Sequence, residues 1–252
     1  MSESGEPFVS IIIPAYNEAG RLEASITALE GYLGSVPWTH EVILVIEKST
    51  DGTLGIARRL AAGKRDIRVI GHDVQKGKGH AVRAGMLQAR GEIAFFMDAD
   101  LSTPVAGMGD FIARFSAAPP VDVLVGNRQH ARSVILAQQH FMRRKMGQTF
   151  NAILRLIAGI RLADTQCGFK AFRRAAREAI FPLQKLDGFA FDVEVLLLAG
   201  HLGYAVEDMP VQWRNSAGSK VRIIRDSWRM LCDAIRIRRL VARTIAGRSA
   251  TH

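Results

Sequence analysis

Phe95-Phe96-Met97-Asp98-Ala99-Asp100 decides how this chain is read: an apolar run leads into two carboxylates one residue apart. Leu101-Ser102-Thr103-Pro104 follows, and proline suits the first turn of a helix. The run reads as the end of a buried strand with a helix beyond it. In a parallel sheet such a strand end opens to ligands at its carboxyl edge. Alternate side chains of extended backbone share a face, so Asp98 and Asp100 are expected to face one hard cation. A divalent ion held by one or two carboxylates keeps positions for substrate phosphates. Taken alone, the stretch reads better as a strand end followed by a helix cap at Ser102 or Thr103. The surrounding sequence favours the cation.

Outward from this stretch, strands and helices alternate. Phe8 to Ile13 is a β-branched run closed by Pro14, a buried first strand. Leu22, Ile26, Leu29 and Leu33 recur at helical spacing, and Glu41 to Ile46 is a second strand. Ser49-Thr50-Asp51-Gly52-Thr53 is a turn and helix start, where hydroxyls and Asp cap free amides. A short strand is expected at Ile67–Ile70, a helix opening at Lys76-Gly77-Lys78-Gly79-His80, and a strand at Ile93–Met97. A helix at Val105–Phe115 and a strand at Val121–Val125 complete the series. Lysines among glycines at a helix start suit a phosphate, although the spacing is not that of a Walker loop. Gly-x-Gly-x-x-Gly is missing after the first strand, which argues against a dinucleotide-binding domain. The expected fold is α/β, a doubly wound, mostly parallel sheet flanked by helices.

Beyond residue 130 the pattern changes. Helices are expected at Phe141–Ala158 and Phe191–Ala199, the second carrying Asp192 and Glu194, and a strand at Ala205–Trp213. Val221–Ala246 reads as a long basic helix. No linker interrupts the chain, so residues 1–252 are read as one domain: a half at 8–128, an acceptor-side half at 129–220, and a basic amphipathic helix at 221–248.

The formal charge is +10, and it is concentrated between Arg214 and Arg248, where only Asp226 and Asp233 oppose a run of arginines and Lys220. Nucleic acid is disfavoured as the partner, because exposed aromatics are not interleaved with these bases. The polar, acidic start is not a secretory signal. No stretch approaches the ~20 apolar residues of a membrane span. Cys167 and Cys232 lie far apart in sequence and read as small buried hydrophobes in a reducing compartment.

Seven stretches in order carry a resemblance. They are Val9–Glu18, Ser49–Thr53, Gly77-Lys78-Gly79 with Ala81, Arg83 and Gly85, Asp98-Ala99-Asp100, Asp164–Lys170, Phe189–Glu194, and Gly218-Ser219-Lys220. Together they resemble the inverting glycosyltransferases of family 2, which have a GT-A fold. Within it they are similar to the branch of the dolichyl-phosphate glucosyltransferases and mannose synthases. The resemblance implies a nucleotide sugar donor (UDP-glucose or GDP-mannose), Mg²⁺ or Mn²⁺, and a polyprenyl phosphate acceptor. By position it implies a nucleotide pocket of Pro14, Ala15, Tyr16, Glu18, Glu47, Gly77, Lys78, Arg83, Asp98 and Ala99, with Asp98 and Asp100 on the metal. It sets Arg128, Arg132, Asp192 and Lys220 beside Asp100 at the reacting centre, and Asp164, Gln166 and Lys170 toward the acceptor. Ile46-Glu47-Lys48-Ser49 departs from the family's Asp-Asp-Gly-Ser. Glu47 stands in for the carboxylate that meets the nucleobase, and Ile46 offers no substitute for its neighbour.

The chemistry agrees. Departure of a nucleoside diphosphate develops negative charge that a cation and basic side chains stabilise. A phosphate acceptor is already ionised and needs no strong base, whereas a hydroxyl acceptor, the alternative reading, needs one. Asp192 is open to two readings, that base or a structural carboxylate paired with an arginine. Val221, Ile224, Trp228, Leu231 and Ile235 follow one helical face between arginines. The face either lies on an anionic membrane, giving a peripheral protein at the cytoplasmic membrane face, or packs on the core.

Overall fold

The computed structural model describes residues 6–137 and 162–214, together with residues 237, 240 and 241. Nine strands are described: β1 (Val9–Ala15), β2 (His40–Ile46), β3 (Ile67–Gly71), β4 (Ile93–Met97), β5 (Val123–Asn127), β6 (Val134–Ala137), β7 (Phe169–Arg173), β8 (Val206–Pro210) and β9 (Gln212–Arg214). Six helices are described: α1 (Leu22–Leu33), α2 (Thr53–Ala61), α3 (Lys78–Gln88), α4 (Gly107–Ser116), α5 (Arg174–Ile180) and α6 (Phe191–His201). Seven strands form one sheet in the order β3-β2-β1-β4-β7-β5-β8. All neighbours are parallel except β7, which runs antiparallel to both β4 and β5. β6 and β9 make a separate parallel pair.

The apolar runs are continuous because the sheet is covered on both faces. Ile11, Ile13, Val42, Leu44, Phe95 and Met97 join α1, α2 and α4 in one core layer. Ile12, Ile43, Val45, Ala94 and Phe96 join α3, α5 and α6 in the other. The period of two thus sorts neighbouring residues of one strand into opposite layers.

Some boundaries moved, with identifiable causes. α4 begins at Gly107 rather than Val105, and neither Ser102 nor Thr103 caps it. The chain first turns on itself there: the Ser102 amide donates to Asp100 Oδ1 at 2.9 Å, and Leu101 sits at φ +46°. The expected strand at 205–213 is two strands, because Pro210 has no amide with which to continue the first. The helix expected at 141–158 lies outside the described residues. Of the helix expected at 221–246, Ile237, Leu240 and Val241 are described and helical. Ile237 and Val241 are fully buried in the layer of α3 and α6, so this part of the basic segment packs on the core. The five apolar positions of the expected membrane face lie outside the described residues. Among the described residues, no helix is long and apolar enough to cross a membrane.

At the amino-terminal end of the sheet the buried Glu41 carboxylate gathers Ser10 Oγ at 2.7 Å, the Arg90 amide at 2.8 Å and Arg68 at 2.9 Å. Burial works to raise its pKa, but these hydrogen bonds and charges outweigh it and hold it below the ordinary 4.5. A carboxylate whose pKa is depressed by folding contributes stability above its unfolded value, and loses it as pH falls through the folded one. Glu41→Gln is therefore expected to lower Tm near neutral pH and to approach the wild type as pH falls below the ordinary carboxylate range, as a series of thermal melts would read. Close packing sets a second constraint. A Cβ at Gly85 of α3 would lie 2.5 Å from Ile12 Cγ2 and 3.0 Å from Val45 Cγ2. Gly85→Ala is expected to cost about 1–3 kcal/mol in urea unfolding, as overpacked cores do.

Candidate active site

The carboxyl ends of β1, β2, β3 and β4 open on one edge of the sheet, the place where doubly wound folds take ligands. The loop after β1 is gripped by the turn after β2. The amides of Asn17, Glu18 and Ala19 donate to Ser49 Oγ at 3.0 Å, Thr53 Oγ1 at 2.8 Å and Asp51 Oδ2 at 3.1 Å. Asn17, at φ +53°, accepts in return from the Thr50 amide at 2.7 Å. The hydroxyls and carboxylate of Ser49–Thr53 thus cap mainly the β1 loop rather than their own helix. Tyr16 and Glu18 of this loop and Pro14 at the end of β1 are half-buried, and Ala15 between them is buried.

Asp98 and Asp100 follow β4 and are both partly exposed. Lys78 Nζ lies 2.6 Å from Asp98 Oδ1, and Arg21 Nη1 lies 3.8 Å from Asp100 Oδ2. Arg21 is itself fixed by Glu18 at 2.7 Å, so a short chain of charge links the β1 loop to the carboxylate pair. Burial works against the charge on Lys78, but Asp98, Asp192 and Asp100 outweigh it and raise its pKa, so it stays an ammonium. The fit to a hard divalent ion can be judged here: the donors are carboxylate oxygens, partly open and set in a turn. A Cβ at Gly168 would come within 2.0 Å of Asp98 Oδ2, so only glycine leaves that carboxylate its place. The residues fit such an ion.

Lys78 is delivered by a close helix start. A Cβ at Gly77, where φ is +135°, would lie 2.5 Å from the Asp187 carbonyl, and one at Gly79 would lie 2.5 Å from the Leu186 carbonyl. The glycines therefore serve packing of α3 against the 186–188 loop. Several amides of this start are already engaged: those of Lys76 and Gly77 donate to Glu47, and that of His80 to the Asp187 carbonyl. Of this start, the Lys78 side chain reaches the carboxylate pair. Arg83 points elsewhere, its Nε donating to the Phe181 carbonyl at 3.2 Å. Glu47 is buried, with one oxygen toward those amides and the other toward His72 and His80 at 2.9 Å each. Its carboxylate is held by the protein itself.

Two more pairs lie on the other side of Asp98. Lys170, fully buried on β7, donates to Asp192 Oδ1 at 2.5 Å and to the Cys167 carbonyl at 2.7 Å. Burial pushes the Asp192 carboxyl up, against the pull of Lys170 and Lys78. Of the two readings of Asp192, the structural one describes its contacts, with a lysine as the partner instead of an arginine. Arg128 holds Asp164 by both prongs, at 2.7 and 2.9 Å, and its guanidinium carbon stands 5.8 Å from the centre of the Trp213 ring. Burial works to raise Asp164, but Arg128 outweighs it and holds the carboxyl below the usual range. The Gln166 amide also donates to Asp164, at 3.3 Å. Arg132 is exposed, and Lys220 lies outside the described residues. Cys167 is buried and its thiol is pushed up to about 11 by that burial, which leaves it inert. Cys232 lies outside the described residues. Arg21, Trp213, His72 and His80 were not singled out from sequence. Only Arg21 carried a signal, its place one helical turn after Glu18.

Comparison with known proteins bears on this arrangement. The family described as Glycosyl transferase family 2 matches residues 10–181. The dolichyl-phosphate beta-glucosyltransferase of Saccharomyces cerevisiae is 32% identical over 250 residues, covering 92% of this chain and 75% of the relative. That of Drosophila melanogaster is 33% identical over 224 residues, covering 84% and 69%. Among solved structures, glucosyl-3-phosphoglycerate synthase from Mycobacterium tuberculosis, in complex with Mn²⁺, UDP-glucose and glycerol 3-phosphate, superposes with a TM-score of 0.66. Its identity is 20%, and the match covers 92% of this chain and 80% of that one. The architecture is accordingly the GT-A arrangement.

The buried Lys170–Asp192 pair generates a prediction. Removing one partner strands a charge, whereas replacing both by apolar groups does not. Lys170→Met is expected to cost about 3–5 kcal/mol in denaturant unfolding, and Lys170→Met with Asp192→Leu to recover most of it.

Proposed function

The chain belongs to glycosyl transferase family 2, and from that premise we propose that it moves a hexose, glucose first among them, from a nucleotide diphosphate sugar to a polyprenyl phosphate of the dolichyl type. The enzyme is a glycosyltransferase; the donor, the acceptor and the residue roles are our reading. The observation that carries the choice of acceptor is the state of Asp192. This carboxylate would have to serve a hydroxyl acceptor as general base, yet it is 3% exposed and held by Lys170. A phosphate acceptor brings its own ionised oxygen and needs no such base. The names of the relatives point the same way.

In the proposed reaction an acceptor phosphate oxygen forms a bond to the anomeric carbon as the bond to the diphosphate breaks, with inversion. The electron pair of that bond leaves with the nucleoside diphosphate. Asp98 and Asp100 would hold Mg²⁺ or Mn²⁺, which neutralises charge developing on the leaving group. Lys78 adds a fixed positive charge beside the pair, and Arg21 orients Asp100. The β1 loop, from Pro14 to Glu18, forms the wall against which the nucleotide lies. Arg132, exposed beyond β5, is suited to meet the acceptor phosphate, whereas Arg128 shapes that side through Asp164. The insertion of β7 between β4 and β5 supports a single domain in which the acceptor-side half completes the sheet.

The test is a transfer assay with UDP-glucose or GDP-mannose as donor, and polyprenyl phosphate or the corresponding polyprenol as acceptor. Product is expected from UDP-glucose with polyprenyl phosphate, dependent on Mn²⁺ or Mg²⁺. Asp100→Ala is expected to lower the rate by about 100-fold or more, the scale for losing a group that stabilises leaving-group charge. Product from the polyprenol or a sugar hydroxyl, with none from the phosphate, would overturn the choice of acceptor.

A further inference from the structure

Glu47, His72 and His80 take no part in the transfer just described, yet they converge from three separate elements. Glu47 follows β2, His72 follows β3, and His80 lies in the first turn of α3. Glu47 Oε1 stands 2.9 Å from the Nδ1 of each histidine, and the three ligand-type atoms all lie within 4.8 Å of one another. We propose that these three residues form a second metal site, for a borderline transition ion of the zinc class.

The donor set argues for that class. Two imidazoles and one carboxylate suit zinc, while magnesium and manganese favour the oxygen-only pair at Asp98 and Asp100. Bond lengths of about 2.0–2.2 Å to nitrogen and oxygen at a tetrahedral angle put ligand atoms roughly 3.3 Å apart. The two carboxylate–imidazole contacts reach this by opening from 2.9 Å by a few tenths of an ångström, and the two nitrogens, within 4.8 Å of each other, settle to the same spacing around the ion. Orientation is already provided. Glu47 Oε2 accepts the amides of Lys76 at 2.5 Å and Gly77 at 3.2 Å, which turns Oε1 alone toward the histidines. Such outer hydrogen bonds are what holds a ligating carboxylate in place. The Glu47 side chain is 3% exposed, and those of His72 and His80 are 20% and 19% exposed. The cluster is thus closed behind the carboxylate and open beside the imidazoles, where a water can complete the coordination. Burial works to raise the Glu47 pKa, but the hydrogen bonds from His80, Lys76, His72 and Gly77 outweigh it and keep the carboxylate charged.

Without metal, both imidazoles must donate Nδ1–H to the same oxygen. With it, one ion replaces the two protons and ties β2, β3 and α3 together. An ion bound to the folded state alone raises its stability. The tie would also fix the loop that sets Lys78 against Asp98.

The test uses the full chain after chelator treatment, titrated with Co²⁺ and then Zn²⁺, following the visible bands of four-coordinate cobalt and the Tm. Wild type is expected to bind one equivalent of cobalt, to release it to zinc but not to excess Mg²⁺, and to gain several degrees in Tm. An Asp98→Asn, Asp100→Asn variant is expected to behave the same way. His72→Gln and His80→Gln are each expected to weaken binding at least tenfold, with circular dichroism confirming the fold. Absence of the cobalt bands in folded wild type would overturn the proposal. So would bands that survive both histidine changes or vanish in the aspartate variant. Because the wild-type spectrum and the aspartate variant decide the matter by themselves, a histidine variant that failed to fold would not remove the test.

Discussion

The ion pair between Lys78 and Asp98 depends on how closely α3 can approach its neighbours, and much of the site depends on that pair. Side chains at positions 77 and 79 would collide with the carbonyls of Asp187 and Leu186. Glu194 of α6 fixes that loop in turn, accepting the amides of Lys185 at 2.9 Å and Leu186 at 2.8 Å. Gln184 closes the contact by donating to the Gly79 carbonyl at 2.9 Å. The position of one ammonium group is thus settled in part by a buried carboxylate, Glu194, that acts on it through the 184–188 segment. Lys78 and Lys170 also flank the Phe96 ring, at 5.8 and 5.1 Å from its centre, so the two charges share one aromatic wall.

Much of the architecture was legible because it rests on periodicity. Residues 93–97 read as a strand from composition alone, and its bounds were met. The helix opening at 191 was also found, running two residues further than expected. What periodicity does not carry is neighbour order. Nothing local in Phe169–Arg173 announces that it enters the sheet between β4 and β5 with reversed direction, because that depends on partners about 75 residues away in β4 and about 47 away in β5. Boundaries slipped where a turn or a missing amide intervened, at Asp100–Ser102 and at Pro210.

The site was legible as a set of positions and less so as a set of partners. The carboxylates at 98 and 100 were found from their spacing, and Lys78 from its place at a helix start. Which charge meets which was beyond the sequence. Ser49–Thr53 looked like a helix cap and holds the β1 loop. Arg128 and Asp164 were set toward sugar and acceptor and hold each other. Glu47 was assigned to the nucleobase and faces two histidines. In each case a polar side chain reached a partner distant in the chain, and such pairings follow from three-dimensional closure.

The reversed strand β7 also has a consequence for how the protein is made. Its register pairs Met97 with Phe169 and Phe96 with Lys170, so β4 lacks a neighbour on that side until residue 173 has left the ribosome. A nascent chain ending near residue 128 would carry the β4 edge open, with Phe95 and Phe96 beside unpaired amides and carbonyls. Such an edge invites pairing with other chains. The Asp98 amide likewise waits for the Gly168 carbonyl, so one bond at the carboxylate turn comes from the second half of the chain. Synthesis of the second half thus closes the β4 edge and supplies the carbonyl beside Asp98 together.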